Sequence, residues 1–291
     1  MVDKSAKTRE ITVQIAAIQR LERAMVRLNV LGISPLVMNR MPAKAKQQLL
    51  LPRRMLNKAA RESVLKHNPP EEYRDSIYKC RDDAAPTYVH IPNGAFKKAM
   101  AQAAVDTPGA TKAETGRLVK VLDVTVHLFG KPYLYMDVVR QAGISHTPDI
   151  RTRAMFPEWA CQLTVQYIRT RIREQDIINL MANAGDITGI GDGRTEKGTF
   201  DYGSWELVDS DDKRWREIVK TQGRKVQLAA MEKPEAIDED TEELLAWYHA
   251  EIIRREQEPT TLKSRKRKAS EDVFVVPLEG GNGSDQAEGE A

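Results

Sequence analysis

Between Gly185 and Gly198 the chain reads Gly-Asp-Ile-Thr-Gly-Ile-Gly-Asp-Gly-Arg-Thr-Glu-Lys-Gly, five glycines in fourteen residues with Arg194 and Lys197 among them. Glycine permits positive φ and close backbone approach to a ligand, and backbone N–H groups in such turns form concavities that hold anions. The loop is therefore read as ligand-facing, against the plainer alternative of a long mobile connection. It is not the loop of a nucleotide hydrolase, because Gly189-Ile-Gly191-Asp-Gly193 lacks a Gly-Lys-Ser/Thr ending. It also follows a helical pattern and precedes a strand pattern, the reverse of the dinucleotide fingerprint. The carboxylates Asp186, Asp192, Glu196 and Asp201 could serve a metal-dependent nuclease. Beside Arg194 and Lys197 they are better read as ion-paired or solvated.

Other catalytic sets are missing from the sequence. The histidines at 67, 90, 127, 146 and 249 have no cysteine or histidine at metal-ligand spacing. There is no Gly-x-Ser-x-Gly elbow and no defensible Cys–His pair. No metal, no cofactor and no enzymatic activity is expected, which leaves binding. Cations recur at loops and element ends, and the candidate nucleic-acid contacts are Arg40, Lys97, Lys98, Lys112, Arg117, Arg151, Arg153, Gly191, Gly193, Arg194 and Lys197. Phe96, Phe156, Phe200 and Tyr202 stand close by in sequence. Cations that track a backbone beside rings that stack bases suit single-stranded nucleic acid. Trp159, Tyr167 and Trp205 are read instead as core, and Cys161 as a small buried hydrophobe.

The elements that must position these residues follow from hydrophobic periodicity. Ala24, Val26, Leu28 and Val30 alternate as a half-buried strand ended by Gly32-Ile-Ser-Pro35. Residues 36–42 lead into basic helices at 43–66, broken at Pro52. A short helix is expected from Glu71 to about Arg81, a strand at Tyr88–Ile91, and a helix at Ala95–Val105 with Lys97 and Lys98 in its first turn. Residues 106–120 read as a flexible excursion. Val121–Leu128 and Tyr133–Arg140, joined by Gly130-Lys-Pro132, read as a hairpin. After the Arg151 and Arg153 approach come a strand at Trp159–Ile168 that becomes basic at Arg169, Arg171 and Arg173, a helix at Glu174–Ala184, and a strand at Gly203–Val208. Helices are expected at Trp215–Ala230 and Glu242–Gln257.

A chain of 291 residues with 41% hydrophobic content supports a real core. Its net charge of +3 conceals segregation, with acids gathered at 235–243 and at the C-terminus. Two cysteines make no disulfide framework and fit a reducing compartment. No apolar run approaches the length of a membrane span, and Met1-Val-Asp-Lys-Ser lacks a signal core, so a cytoplasmic protein is expected. Lys263–Lys268 is a basic run of nuclear-import or nucleic-acid type. The acidic tail beyond it is disordered by composition and could recruit a protein partner or compete for a basic groove.

The element order resembles an α+β ferredoxin-like (RRM-like) unit. It divides the chain into an N-terminal extension at 1–22, the α+β domain at 23–208 with a helical insertion at about 42–87, a helical extension at 209–262, and the tail at 263–291. Gly32-Ile-Ser-Pro-Leu-Val-Met-Asn39, Ile91-Pro-Asn-Gly-Ala-Phe-Lys-Lys-Ala99 and Asp149-Ile-Arg-Thr-Arg-Ala-Met-Phe-Pro-Glu-Trp159, continuing through Gly189–Gly198, resemble a family of bacteriophage- and prophage-encoded proteins over about residues 24–208. More distantly the pattern is similar to the RAMP superfamily, the RNA-binding backbone subunits of CRISPR effector complexes. In that superfamily a glycine-rich loop lies between the last helix and last strand of the core, as Gly189–Gly198 does here, and Pro92–Lys98 matches its small-polar-basic segment. The resemblance implies a head-to-tail homo-oligomer holding single-stranded DNA or RNA in phage recombination, replication or defence evasion. It departs in the C-terminal third and in lacking a recognisable catalytic histidine. An assembly subunit that contacts protein through the glycine loop and residues 242–257 is the alternative.

Overall fold

The computed structural model of the chain describes residues 20–42, 67–140, 148–198 and 200–257. The N-terminal 19 residues, the expected basic helices at 43–66, the Lys263–Lys268 run and the acidic tail lie outside them. Among the described residues two antiparallel sheets carry the fold, which is mixed α+β.

β1 (Arg23–Gly32) runs through the middle of the larger sheet because both its edges find partners. It pairs β8 (Ala160–Ile168) from Arg23↔Ile168 to Leu31↔Ala160, and β9 (Trp205–Val208) on its other side. This register places Ala24, Val26, Leu28 and Val30 opposite Tyr167, Val165, Leu163 and Cys161 on one face. Against that apolar face pack α2 (Asn93–Ala103), through Phe96 and Met100, and α4 (Glu174–Ile187), through Ile177 and Met181. Trp159, Tyr167, Trp205 and Cys161 are buried there, as expected of core residues. Beyond β8 the sheet continues through β4 (Lys120–Val121) and β5 (Thr125–Phe129) to β3 (His90–Pro92). The order is thus β3-β5-β8-β1-β9, with β4 also on β8. α5 (Lys213–Thr221) covers one end of the opposite face, where Ile218 meets Leu31 and Ala160.

The smaller sheet, β2-β7-β6, comprises β2 (Leu36–Met38), β7 (Pro148–Phe156) and β6 (Tyr133–Arg140). Several expectations are corrected here. β5 and β6 both form, yet they make no hairpin. β5 joins β8 and β3, while β6 joins β7, so Gly130-Lys-Pro132 carries the chain from one sheet to the other. Residues 36–38 are a buried strand on β7 and not the approach to a helix. Asp149–Arg153 is not a free approach but the start of β7. The excursion at 106–120 contains α3 (Lys112–Leu118), capped by Thr111, whose hydroxyl oxygen accepts from the Glu114 N–H at 3.2 Å. α1 (Pro69–Asp75) is shorter than expected, and the helix expected at 215–230 is two, α5 and α6 (Arg224–Glu232), broken at Gln222-Gly223. α7 (Glu239–Gln257) starts three residues early, on acids that suit a helix N-terminus.

The described residues to Leu245 belong to one compact unit and those from Ala246 to a second. Among the described residues no helix is long and apolar enough to cross a membrane. Cys80 and Cys161 are both free thiols.

Candidate nucleic-acid interface

The glycine-rich loop is not a slack connection. α4 runs on to Ile187, and the loop is then fastened to its own chain at successive points. Ile190 N–H donates to Gly203 O at 3.0 Å, Asp192 N–H to Val37 O at 2.9 Å, and Gly203 N–H to Pro35 O at 2.8 Å. Ile190 itself is buried, and a 3₁₀ turn at Thr195–Lys197 closes the segment. Gly191 (φ +85°) lies so near β2 that a Cβ would stand 2.5 Å from Val37 O. At Gly193 (φ +63°) a Cβ would meet the rings of Tyr202 at 2.9 Å and Phe200 at 3.1 Å. The glycines therefore first serve close packing on the chain itself. That packing holds the loop as a fixed rib between two clefts.

The first cleft, about 680 Å³, separates the rib from α2, from the helix start as far as Gln102, and is lined by Gly94, Lys98, Gln102, Lys112, Gly191 and Arg194, among others. The start of α2 makes no side-chain cap and has no acid in its first turn. Its leading N–H groups thus present the positive end of the helix to the cleft. Because α2 starts two residues earlier than expected, Lys97 and Lys98 fall in its second turn. Lys112 Nζ donates to the neutral Gln102 Oε1 at 2.8 Å, so its charge is not cancelled there. Lys98 has no ion-pair partner among the described residues.

The second cleft, about 390 Å³, lies between the rib and the outer face of the smaller sheet. Tyr135, Arg153, Gly193, Lys197, Phe200 and Tyr202 line it, and Asp192 and Arg194 line both clefts. Arg153 Nη1 reaches Asp192 Oδ2 at 2.8 Å, and the same carboxylate oxygen accepts from Asn39 Nδ2 at 3.3 Å. Arg194 pairs with Glu196 at 2.8 Å and donates to Gly191 O at 3.3 Å. Two of the loop carboxylates singled out for a metal are thus ion-paired. Phe200 and Tyr202 stack in parallel, centroids 4.9 Å apart and planes 6° apart. Burial, followed by a hydrogen bond to Tyr202, pushes the Tyr135 hydroxyl well above the ordinary tyrosine range.

The fold brings together Lys98, Lys112, Arg153, Gly191, Gly193, Arg194 and Lys197, and leaves four candidates elsewhere. Arg40 serves α1, its backbone N–H donating to Ser76 O at 2.8 Å and its guanidinium to Asp75 O at 3.4 Å. Lys97 and Arg117 line neither cleft, and Arg117 donates to Ala113 O at 3.2 Å. Arg151 is 3.4 Å from Asp149, which His67 also bonds at 3.0 Å. The basic end of β8 is likewise paired, Arg171 with Glu114 and Arg173 with Asp176. Of the four candidate rings, Phe96 and Phe156 are fully buried core residues. Sequence reasoning overlooked Tyr135. Alternation of Tyr133, Tyr135 and Asp137 marks one face of β6, but only the β6–β7 register shows that Tyr135 stands beside Arg153.

No protein-family model matches the chain, and no curated protein matches its sequence. Among solved structures it aligns with a chain of the Type III-B Cmr-beta complex bound to cognate target RNA, at 13% identity and a TM-score of 0.36, over 64% of this chain and 59% of that one. It also aligns with Cmr6 from Pyrococcus furiosus, at 11% identity and a TM-score of 0.32, over 65% of this chain and 100% of that one. The chain therefore spans well under two thirds of the first of these structures and the full length of the second.

Proposed function

We propose that the protein binds single-stranded nucleic acid without catalysing a reaction on it, with the phosphate backbone in the cleft between α2 and the glycine rib. The observation that carries this reading is the charge balance of that cleft. Lys98, on the second turn of an eleven-residue helix with an uncapped N-terminus, and Lys112, held by Gln102 toward that helix's other end, face the cleft with no acid partner among the described residues. The acids Asp192 and Glu196, by contrast, are matched by arginines. An anion entering there meets cations and helix N–H groups, the chemistry of a phosphate. The strand order β9-β1-β8-β5, with α2 and α4 as the crossovers on one face, supports the finer ferredoxin-like description of the core. Homo-oligomerisation along a strand, and a setting in phage recombination, replication or defence evasion, belong to the same proposal. They rest on the motif resemblance.

Fluorescence anisotropy with labelled single-stranded DNA, single-stranded RNA and duplex, at two salt concentrations, tests it. Binding to a single strand should weaken with salt, and Lys98→Ala with Lys112→Ala should lower the log–log salt slope by about 0.7 per lysine removed. Absence of binding to every probe at low salt would overturn the proposal and favour an assembly role.

A further inference from the structure

The second cleft differs from the first in carrying a stacked pair of aromatic rings. Its Arg153 and Arg194 are already paired with Asp192 and Glu196, and Asp137 lines it with no ion-pair partner among the described residues. What it offers instead is a flat apolar surface beside a paired donor and acceptor. Phe200 is 40% exposed although one face of its ring is already stacked on Tyr202. The stack is held from behind: the Tyr202 hydroxyl is hydrogen-bonded to Tyr135, and the Tyr202 N–H donates to Gly193 O at 3.2 Å. Gly193 leaves room for both ring edges, which any side chain there would displace. Rings fixed in this way lose little freedom when a third ring is added. The neighbouring Arg153 guanidinium, whose side chain is only 14% exposed, presents donors 2.8 Å from the acceptor Asp192.

A neutral planar ligand with donors and acceptors along one edge satisfies all of these features, and a nucleobase is such a ligand. The cleft's volume of about 390 Å³ falls within the ~300–1,000 Å³ typical of small-ligand sites. Because Asp192 and Arg194 line both clefts, a strand whose phosphates follow the first can turn a base across the rib into the second. We infer that this cleft receives one unpaired nucleobase, stacked on Phe200 and met at its polar edge by Arg153 and Asp192. The inference rests on the single-strand reading above and adds to it a base contact that phosphates alone do not require.

The test compares two strands of equal length and phosphate number, one carrying bases and one abasic throughout. The parent protein binds the base-bearing strand more tightly. Phe200→Leu weakens that binding by about 5- to 150-fold, the usual value of one base stacked on an aromatic ring, and leaves the abasic strand unaffected. Phe200→Trp keeps the parent's affinity, and 2-aminopurine in the bound strand is quenched by the parent but not by Phe200→Leu. The phosphate-cleft variant, Lys98→Ala with Lys112→Ala, weakens both strands. If Phe200→Leu binds the base-bearing strand within twofold of the parent, or weakens both strands equally, the base site is wrong and the phosphate cleft stands. If the parent binds neither strand, the single-strand reading fails and this inference fails with it.

Discussion

His90 shows how the paired strands of the larger sheet create a pH liability. It sits opposite His127 in the β3–β5 pairing, and Tyr78 packs against its ring with centroids 5.9 Å apart. Its Nδ1 is buried without a hydrogen-bond partner among the described residues. Burial first, and then the nearby His127 and Arg40, hold its pKa below the ordinary histidine value. Protonation therefore favours the unfolded chain. The stability that neutral His90 contributes is complete above about pH 6.5 and is lost as pH falls through its lower folded pKa. Between pH 7 and pH 5 the urea midpoint of the parent should fall, and His90→Leu should flatten that slope. Identical slopes in parent and variant would remove His90 from the account.

The rib is the element on which both clefts depend, and its glycines are its weakest points. Gly191→Ala combines a left-handed backbone (φ +85°) with a Cβ 2.5 Å from Val37 O, and both clefts use the residues that follow it. Strain of this kind costs about 1–3 kcal/mol, so the variant should lose thermal stability by a few degrees. It should also weaken strand binding more than its stability loss explains, because Asp192 and Arg194 shift together. Calorimetry and anisotropy on the same preparation separate the two effects, and unchanged values in both would mean the loop is not the rib described. The rib was legible in part: its glycines, Arg194 and Lys197 mark a turn-rich segment, and the alternation in β1 and β8 gives strands with one buried face. The pairing of β6 with β7 instead of β5 was not legible. Each strand has the same local pattern in either arrangement, and only the fit of Leu134 to Ala154 and of Leu128 to Cys161 decides. α3 was legible and missed, since Thr111-Lys-Ala-Glu114 has the form of a capping box. The ion pairs of Arg153 and Arg194 lie at opposite extremes. Glu196 is two residues from Arg194, while Asp192 is thirty-nine from Arg153 and reaches it only through the fold.

At the scale of the first compact unit, one polar side chain ties the helical extension to the larger sheet. Gln227 on α6 is fully buried. Its Oε1 accepts from the N–H groups of Tyr88 and Val89 at 2.8 and 3.0 Å. Its Nε2 donates to the carbonyls of Leu128 and Gly130 at 2.7 and 3.1 Å. Those four backbone groups belong to the segment before β3 and to the end of β5, where the chain leaves one sheet for the other. A single amide from nearly a hundred residues away or more completes them. In sequence Gln227 is an unremarkable polar residue of an amphipathic helix, and nothing local distinguishes it from its exposed neighbours. Gln227→Leu keeps the approximate volume and the helix propensity but leaves two N–H and two C=O groups without partners. An unsatisfied buried group costs about 1–3 kcal/mol, and with partial relaxation the four together should cost about 4 kcal/mol. That is a large part of the ~5–15 kcal/mol that holds a typical domain together. Gln227→Glu keeps the acceptor for Tyr88 and Val89 but turns carboxylate oxygen toward the two carbonyls. It should therefore be the worse variant at neutral pH and recover as the carboxyl is protonated and can donate one bond. Urea denaturation at pH 7 and pH 5 reads both effects. A loss below about 1 kcal/mol for Gln227→Leu would show that water or another donor replaces the amide, and that the extension is held chiefly by apolar packing.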